Sequence, residues 1–335
     1  MSYYEHNYNY RGFIDMNSKI IFIPMLLLFL LSSCNEESEE PRSVEVESFI
    51  NEVVDIMETN SINRQSIDWE DFRAQVQASA AGARNTNGTS DALRLALRLL
   101  GDNHSFIFWQ GGGILSEAVL DCDPVSYAVV NTPDNIGYIR VPFFTGNDKA
   151  ETEAFAQGLQ NQIRNADSEN TIGWIVDLRG NTGGNMWPML AGIGPILGEG
   201  IAGYFISPDD VETEWSYANG ASLIEEEVQV QVSNPYELIN PDVKVAVLQD
   251  RAVSSSGEAI AIAFRGKSNA QSFGSLTCGI ATSNSVFPLS DGSTLILTTA
   301  FMADRNKSKY GNPVEPEQPT SQAVIVELAI DFIEN

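Results

Sequence analysis

Two near-continuous apolar segments, each followed by a helix, constrain the fold of this chain more than any other feature. They are residues 172–179 and residues 243–248. Apolar runs of this length without polar alternation are typical of strands that are buried on both faces. Each run leads through a turn into a predicted helix, at residues 185–197 and 256–265. This alternation of strand and helix predicts a largely parallel sheet covered by helices.

The rest of the pattern divides into a helical N-terminal part and a mixed part. Residues 43–100 carry apolar side chains at helical spacing, and Gly101 is a typical helix stop. From residue 126 onward, strand-like and helix-like segments alternate. The further predicted strands are residues 127–130, 136–141 and 294–300, the last after a hairpin turn at 289–293, and the further predicted helices are residues 147–165 and 321–334.

The N-terminal segment has the pattern of a lipoprotein signal. The apolar run at residues 20–31 is too short to span a bilayer as a helix, and it follows a basic start. It ends in Leu-Ser-Ser-Cys, which resembles a bacterial lipobox. We therefore expect residues 1–33 to be an upstream extension and signal peptide, and Cys34 to carry a lipid anchor. The alternative is a buried apolar strand that ends in an unrelated cysteine.

An acidic segment at residues 34–42 follows the predicted anchor. Such a segment cannot bury a core and is expected to be a solvated tether. The expected location is the bacterial cell envelope, at the outer membrane and either periplasmic or surface-facing. Acidic residues after the cysteine resemble the surface-export signal of some Bacteroidota lipoproteins, and a plain linker explains them equally well.

Charge and residue usage exclude several classes of function. A formal net charge of −26 argues against a nucleic-acid partner, which would need a basic surface. No cysteine–histidine cluster has metal-ligand spacing, so we expect neither a metal nor another cofactor. Cys122 and Cys278 are free to form a disulfide in an envelope protein, and two separate buried thiols fit the sequence as well.

His104 is the single histidine expected in the mature chain, because His6 lies upstream of the signal segment. Imidazole titrates near neutrality and is the usual proton carrier in catalysis. His104 follows a predicted helix end at Gly101. It is therefore either a general base or a hydrogen-bonded core histidine.

A glycine-rich turn follows the first apolar strand. Residues 177–185 read Asp-Leu-Arg-Gly-Asn-Thr-Gly-Gly-Asn, so Gly183 and Gly184 stand at the start of a helix. Backbone N–H groups in such a turn can stabilise an anion. No Gly-Lys-Ser/Thr follows, which excludes a P-loop. The turn is either an oxyanion site or a tight connection.

A serine-rich junction follows the second apolar strand, at residues 253–259. A serine at a strand-to-helix turn can present its hydroxyl at the edge of the sheet, beside the next N–H group. Ser255 and Glu258 also have capping-box spacing, so Ser255 could simply cap the helix. The residues alone leave both interpretations open, and Ser254 is an alternative nucleophile.

Together these segments resemble the family of C-terminal processing (tail-specific) peptidases, in the branch that includes tricorn protease and interphotoreceptor retinoid-binding protein. Residues 177–184 match the family segment Asp-Leu-Arg-x-Asn-x-Gly-Gly, and residues 255–258 match Ser-x-x-Glu. Residues 272–279 and 304–317 resemble its later motifs, with Ser275 in place of the usual glutamate. The resemblance covers roughly residues 90–335.

The resemblance implies an α/β fold with a ClpP/crotonase-like core of sheet and helices. An N-terminal helical subdomain at residues 43–103 would precede a serine peptidase core at residues 104–335. The PDZ domain of some relatives is expected to be missing, because only 32 residues separate His104 from Gly137. The position of the family's catalytic lysine is occupied by Ile280, so a serine–lysine dyad is not expected.

The catalytic roles that the resemblance implies are those of the tricorn-like style. Ser255 would attack a peptide carbonyl, and His104 would remove its proton. The oxyanion would lie between the backbone N–H of Ser256 and that of Gly183 or Gly184.

The group that orients the histidine is expected to be a carboxylate near the C-terminus. We place it at Glu315, with Glu317 and Asp304 as alternatives, while Asn103 stands where the tricorn-type relay has a serine. The expected function is a serine-type peptidase of the cell envelope with a peptide or protein substrate. The alternatives are a non-catalytic peptide- or lipid-binding lipoprotein on the same fold and a non-peptide ester or amide hydrolase.

Overall fold

The computed structural model describes residues 43–120, 122 and 130–335. The predicted signal peptide, Cys34, the acidic tether and nearly all of the predicted strand at 127–130 lie outside the described residues. Within the described ranges, the helices are α1 (Val44–Asn60), α2 (Trp69–Ser79), α3 (Ser90–Leu100), α4 (Lys149–Ala166), α5 (Met186–Leu197), α6 (Ser256–Ala263) and α7 (Ile325–Glu334), with a 3-10 helix at Thr86–Thr89.

The strands in the same ranges form two sheets. They are β1 (Phe106–Phe108), β2 (Ile114–Ser116), β3 (Ile136–Arg140), β4 (Gly173–Asp177), β5 (Gly200–Ile206), β6 (Glu212–Ala218), β7 (Ala221–Ile224), β8 (Glu227–Gln231), β9 (Lys244–Gln249), β10 (Ala270–Gly274), β11 (Thr282–Pro288), β12 (Thr294–Asp304) and β13 (Gln318–Pro319).

The first sheet is parallel, with strand order β13-β10-β9-β4-β3. Its two central strands are the two apolar segments of the sequence, and β4 is buried along its whole length. Alternate residues serve opposite faces, because side chains alternate along a strand. Trp174 and Val176 pack with α4, α5 and α6, and Ile175 packs with α7. The predicted helix-covered parallel sheet is confirmed.

The second sheet is antiparallel and runs in the order β2-β1-β12-β5-β6-β7-β8, with β11 paired to β12. The sequence pattern predicted one of these strands, at residues 294–300, and β12 extends that strand to Asp304. Strands β5 to β8 mix buried, half-buried and exposed residues. They therefore lack the continuous apolar run that made β4 and β9 recognisable.

The N-terminal helices pack against one face of this second sheet. Phe49 of α1 and Leu93 of α3 are buried with Ile107 and Leu295 of the sheet in a second hydrophobic core. Helix α3 ends at Gly101, whose φ of 68° is in the left-handed region that glycine adopts without strain. This end fixes where the chain turns toward His104.

Two features of the described residues bear on location and cofactors. No helix in the described ranges has both the length and the apolar character needed to cross a membrane. In the same ranges, histidine, cysteine and carboxylate side chains form no group that could hold a metal ion. Cys122 and Cys278 form a disulfide, with Cα atoms 5.0 Å apart. The sequence left open whether these cysteines are bonded or are two separate thiols, and the structure has the disulfide.

Candidate active site

The glycine-rich turn is held rigidly where β4 ends. The Arg179 guanidinium donates two hydrogen bonds to Asp177, at 2.8 and 2.7 Å, and both residues are buried. The Asn181 amide donates to the backbone carbonyl oxygen of Val141, and its Oδ1 accepts the Gly183 N–H at 2.9 Å. Buried, fully paired side chains of this kind fix the path of the backbone.

The N–H of Gly184 has no acceptor among the described residues, and the same holds for the N–H of the exposed Thr182 in this turn. The φ of Gly184 is 110°, in the region that favours glycine. A Cβ atom there would lie 2.1 Å from the carbonyl oxygen of Phe144. Both the conformation and the close approach therefore require glycine at this position.

Ser255 lies at the sharp turn between β9 and α6. Its φ is 49°, a strained value for a residue with a side chain. The Ser255 N–H donates to the Glu258 carboxylate at 2.8 Å, so Ser255 and Glu258 form a capping box at the start of α6. Ser254 is buried, and it does not belong to the set of residues lining the large cavity beside the turn, whereas Ser255 does.

The two junctions are linked directly. The hydroxyl of Ser256 donates to the carbonyl oxygen of Gly184 at 2.7 Å, and the Ser254 N–H donates to the Asn181 carbonyl oxygen at 3.0 Å. The N–H of Ser256, in the first position of α6, has no acceptor among the described residues. The N–H groups of Gly184 and Ser256 are thus both available beside the Ser255 hydroxyl, as an oxyanion site requires.

His104 is positioned by a tight turn after α3. The Asp102 carboxylate accepts the backbone N–H groups of His104 and Ser105, at 2.9 and 2.7 Å, and the hydroxyls of Ser105 and Thr298. The imidazole Nδ1 lies 2.8 Å from the hydroxyl oxygen of the buried Thr282, the first residue of β11. Burial lowers the pKa of His104 to about 4, although the nearby Asp102 charge acts in the opposite direction.

A cavity of about 1040 Å³ contains the predicted site residues His104, Ser255, Ser256 and Gly184 in its lining. The histidine and serine side chains form no hydrogen bond to each other among the described residues. Catalytic hydrogen bonds of this kind are often long without substrate and tighten when it binds. The structure therefore places the predicted base, nucleophile and anion-binding N–H groups around one space.

The expected orienting carboxylates are not brought to His104. Glu315 is exposed, and its carbonyl oxygen accepts a hydrogen bond from Arg265. Glu317 accepts the Ser272 N–H, and Asp304 accepts the Tyr310 hydroxyl. The physical reason lies in the topology, since β13 pairs with β10 at the edge of the parallel sheet and keeps residues 315–317 beside that edge.

Two residues of the site were missed by sequence reasoning. Thr282 contacts the His104 ring from a strand that no pattern marked, and a threonine at the start of a strand carries no distinctive signal. Glu258 was considered as a helix cap and as the last residue of the Ser-x-x-Glu segment, without a role in the site. Its carboxylate is fully buried and accepts from Ser255 N–H, Thr277 hydroxyl, Gly279 N–H and Ile280 N–H. Burial raises the pKa of Glu258 to about 7 against the opposing effect of these donors. The missed signal was the position of Glu258 three residues after the proposed nucleophile, on the first turn of α6.

Comparison with known proteins is consistent with this geometry. Residues 135–319 match the profile of peptidase family S41. The chain is 30% identical over 262 residues to the nisin-resistance protein of Lactococcus lactis subsp. lactis, covering 77% of this chain and 78% of that protein. It is 27% identical over 168 residues to the carboxy-terminal processing protease CtpA of Bacillus subtilis, and this alignment covers 50% of this chain and 31% of that protease. A lipoprotein from Streptococcus agalactiae has the same fold, with a TM-score of 0.67 and 23% identity. The structural alignment covers 87% of this chain and 97% of that lipoprotein.

Proposed function

The chain belongs to peptidase family S41, and we propose that it is a serine peptidase that cleaves peptide bonds through an acyl-enzyme on Ser255. Membership of this family confirms the resemblance to C-terminal processing peptidases that the sequence motifs indicated. The observation that carries the proposal is the strained, cavity-lining Ser255, with two unpaired N–H groups beside it and His104 in the same cavity.

In the proposed first step, the Ser255 oxygen attacks the carbonyl carbon of the substrate while Nε2 of His104 takes the hydroxyl proton. For Nε2 to accept this proton, Nδ1 must carry the hydrogen and donate it to the Thr282 hydroxyl. The burial that lowers the His104 pKa keeps the imidazole neutral, and thus able to accept a proton, at neutral pH.

The negative charge that develops on the substrate oxygen is stabilised by hydrogen bonds from the N–H groups of Gly184 and Ser256. Between the two glycines that the sequence left open, we favour Gly184, because the Gly183 N–H already donates to Asn181. His104 then returns its proton to the leaving amine, and the same base activates the water that hydrolyses the ester. One oxyanion donor is typically worth about 3 kcal/mol of the barrier.

We further propose that the peptidase is held at the bacterial cell envelope by a lipid on Cys34. The lipobox-like sequence supports this assignment, and the S. agalactiae protein of the same fold is described as a lipoprotein. Expression of the Cys34→Ser variant should move the protein from the membrane fraction to the soluble fraction. An unchanged membrane fraction would contradict the anchor.

A fluorophosphonate probe tests the catalytic assignment. We expect wild type to be labelled on Ser255, as located by mass spectrometry of the digest, and to cleave at least one member of a peptide library. Labelling should be abolished in Ser255→Ala and should fall at least a hundredfold in His104→Ala. Ser254→Ala is the matched control and should be labelled like wild type, because Ser254 is buried and does not line the cavity.

The outcomes separate the competing functions. Absence of labelling together with intact peptides would show a binding protein and contradict the enzyme assignment. Labelling of Ser255 with intact peptides but hydrolysis of simple esters would retain the nucleophile and contradict the peptidase assignment.

A further inference from the structure

One face of the antiparallel sheet is apolar, exposed and not covered by any described element. We call it the apolar face, and it consists of Phe106 and Phe108 of β1, Ile114 of β2, Ile296 of β12 and Val286 of β11. The register places them side by side, because Phe106 pairs with Ile296, Ile296 with Val286, and Phe108 with Ile114. Phe108, Ile114 and Val286 are 49%, 56% and 63% exposed.

The opposite face of the same strands is buried in the second hydrophobic core. Ile107, Leu115 and Leu295 alternate with the apolar face along their strands and are buried against the N-terminal helices. An ordinary two-layer arrangement would place polar side chains on the outer face. Here that face is mostly aromatic and aliphatic, with Ser116 opposite Phe106 and Thr294 opposite Phe108 as polar neighbours. A mostly apolar outer face of this kind is typical of a binding surface.

The apolar face is continuous with the candidate active site. Phe106, Phe108 and Ile296 line the same cavity as Ser255 and His104. Phe106 follows His104 by two residues, so the face begins directly beside the proposed base. The rings of Phe106 and Phe108 lie 5.2 Å apart in an edge-to-face arrangement, which gives this wall a fixed shape.

The charge of the cavity wall points to the same kind of occupant. The chain has a formal net charge of −26, yet no aspartate or glutamate belongs to the described residues that line the cavity. Arg64 lies in the wall, and its guanidinium is paired with Asp209. Many of the other lining residues are uncharged Ser, Thr and Asn, which can bind a peptide backbone. A charged side chain therefore meets no unpaired opposite charge among the described lining residues, whereas an apolar side chain gains contact area at Phe106, Phe108 and Ile296.

We infer that the apolar face is a substrate-docking surface that binds apolar or aromatic side chains of the peptide close to the cleaved bond. This inference rests on the proposed peptidase function and specifies its substrate class. The occupant follows from the continuity with the cavity, because a peptide held at Ser255 extends past His104 onto Phe106 and Phe108. Its apolar side chains cover the face in the bound state.

The test compares two peptides of equal length and charge that differ in the residues flanking the cleaved bond. One carries Leu or Phe there, and the other carries Ser or Gln. Wild type should prefer the apolar peptide in kcat/KM. In Phe108→Ser and Val286→Ser this preference should fall by about tenfold each, mainly through KM, because an apolar pocket discriminates by this order per small group.

Val228→Ser is the matched control. Val228 is 56% exposed on β8, at the other end of the same sheet, and is not part of the apolar face. Neither Val228 nor Val286 belongs to the described lining of the cavity, but Val286 is part of the apolar face through its pairing with Ile296, which does line it. The preference ratio of Val228→Ser should equal that of wild type. Thermal unfolding should establish that each variant is folded, which is expected because both substitutions are at exposed positions.

Fluorophosphonate labelling separates this inference from the proposed function. If Ser255 is labelled in Phe108→Ser and Val286→Ser while the preference ratio equals that of wild type, the docking surface is wrong and the peptidase stands. If the ratio is unchanged and the variants instead lose self-association in sedimentation, or lose binding to lipid vesicles, the face belongs to another occupant and the inference is overturned. If wild type is neither labelled nor active, the proposed function itself fails.

Discussion

Replacing Thr282 by valine removes the described hydrogen bond to the His104 imidazole while keeping the shape of the side chain. The Thr282 hydroxyl oxygen lies 2.8 Å from Nδ1 of His104, and Thr282 is buried. We therefore do not expect water to replace the hydrogen bond that the substitution removes. During the proposed proton transfer the imidazole becomes positively charged, and a hydrogen bond to a charged group is worth about 1.5–3 kcal/mol. We therefore expect kcat to fall about 10- to 150-fold in Thr282→Val, with little change in KM.

Steady-state cleavage of a fluorogenic peptide measures this effect, and the pH dependence of kcat tests whether it acts through the His104 imidazole. Thr282→Ser restores the hydroxyl and should recover most of the rate. Thr299→Val is a matched control, because Thr299 lines the same cavity and its hydroxyl contacts Ser285 instead of His104. The acidic limb of the profile should move to lower pH in Thr282→Val, since the charged imidazole has lost a partner. A Thr282→Val rate within twofold of wild type, or a Thr282→Ser rate as low as that of valine, would refute the reasoning.

Three further predictions concern the same site. Because burial lowers the pKa of His104 to about 4, the loss of Ser255 labelling that belongs to the imidazole should occur only as the pH approaches 4, whereas a change near pH 7 should follow Glu258, whose pKa burial raises to about 7. Gly184→Ala should reduce labelling at least a hundredfold, because the new Cβ would lie 2.1 Å from a backbone oxygen, whereas Gly158→Ala, with open space around it, should be neutral. Cys122→Ser removes the disulfide to Cys278 and should lower the free energy of unfolding in urea by about 2–5 kcal/mol, matched by wild type in reductant.

The parallel sheet could be predicted from the sequence because burial on both faces leaves a continuous apolar run. Strands β4 and β9 have that pattern, and the helices after them begin within a few residues of their predicted starts. The antiparallel sheet has no such pattern in β5 to β8, which pair with one another in sequence order and mix buried with exposed residues, while β5 also pairs with the distant β12. Pairing between distant segments is a tertiary property that local periodicity does not report.

The candidate site divides in the same way. Gly184 and Ser255 occur at turns where a parallel strand ends and a helix begins. Such turns are local features of the sequence, so the motifs indicated both residues. Thr282 contacts His104 across 178 positions of sequence, and only the register of β11 on β12 brings them together. The carboxylate expected behind the histidine was sought near the C-terminus, at Glu315, and the structure keeps that segment at the edge of the parallel sheet.

A buried carboxylate is nevertheless central to the site, and it serves the proposed nucleophile. Glu258 accepts the Ser255 N–H with one oxygen, and the same oxygen accepts the Ile280 N–H at 3.0 Å. The Thr282 N–H in turn donates to the carbonyl oxygen of Ile280 at 2.8 Å. A short chain of hydrogen bonds therefore connects the backbone of Ser255 to that of the residue that holds His104. Because each member is buried or half-buried, a displacement at Glu258 would shift the proposed nucleophile and the proposed base together. In this chain a neutral hydroxyl contacts the imidazole, and the buried carboxyl group that connects the two segments accepts its hydrogen bonds from the Ser255 side of the site.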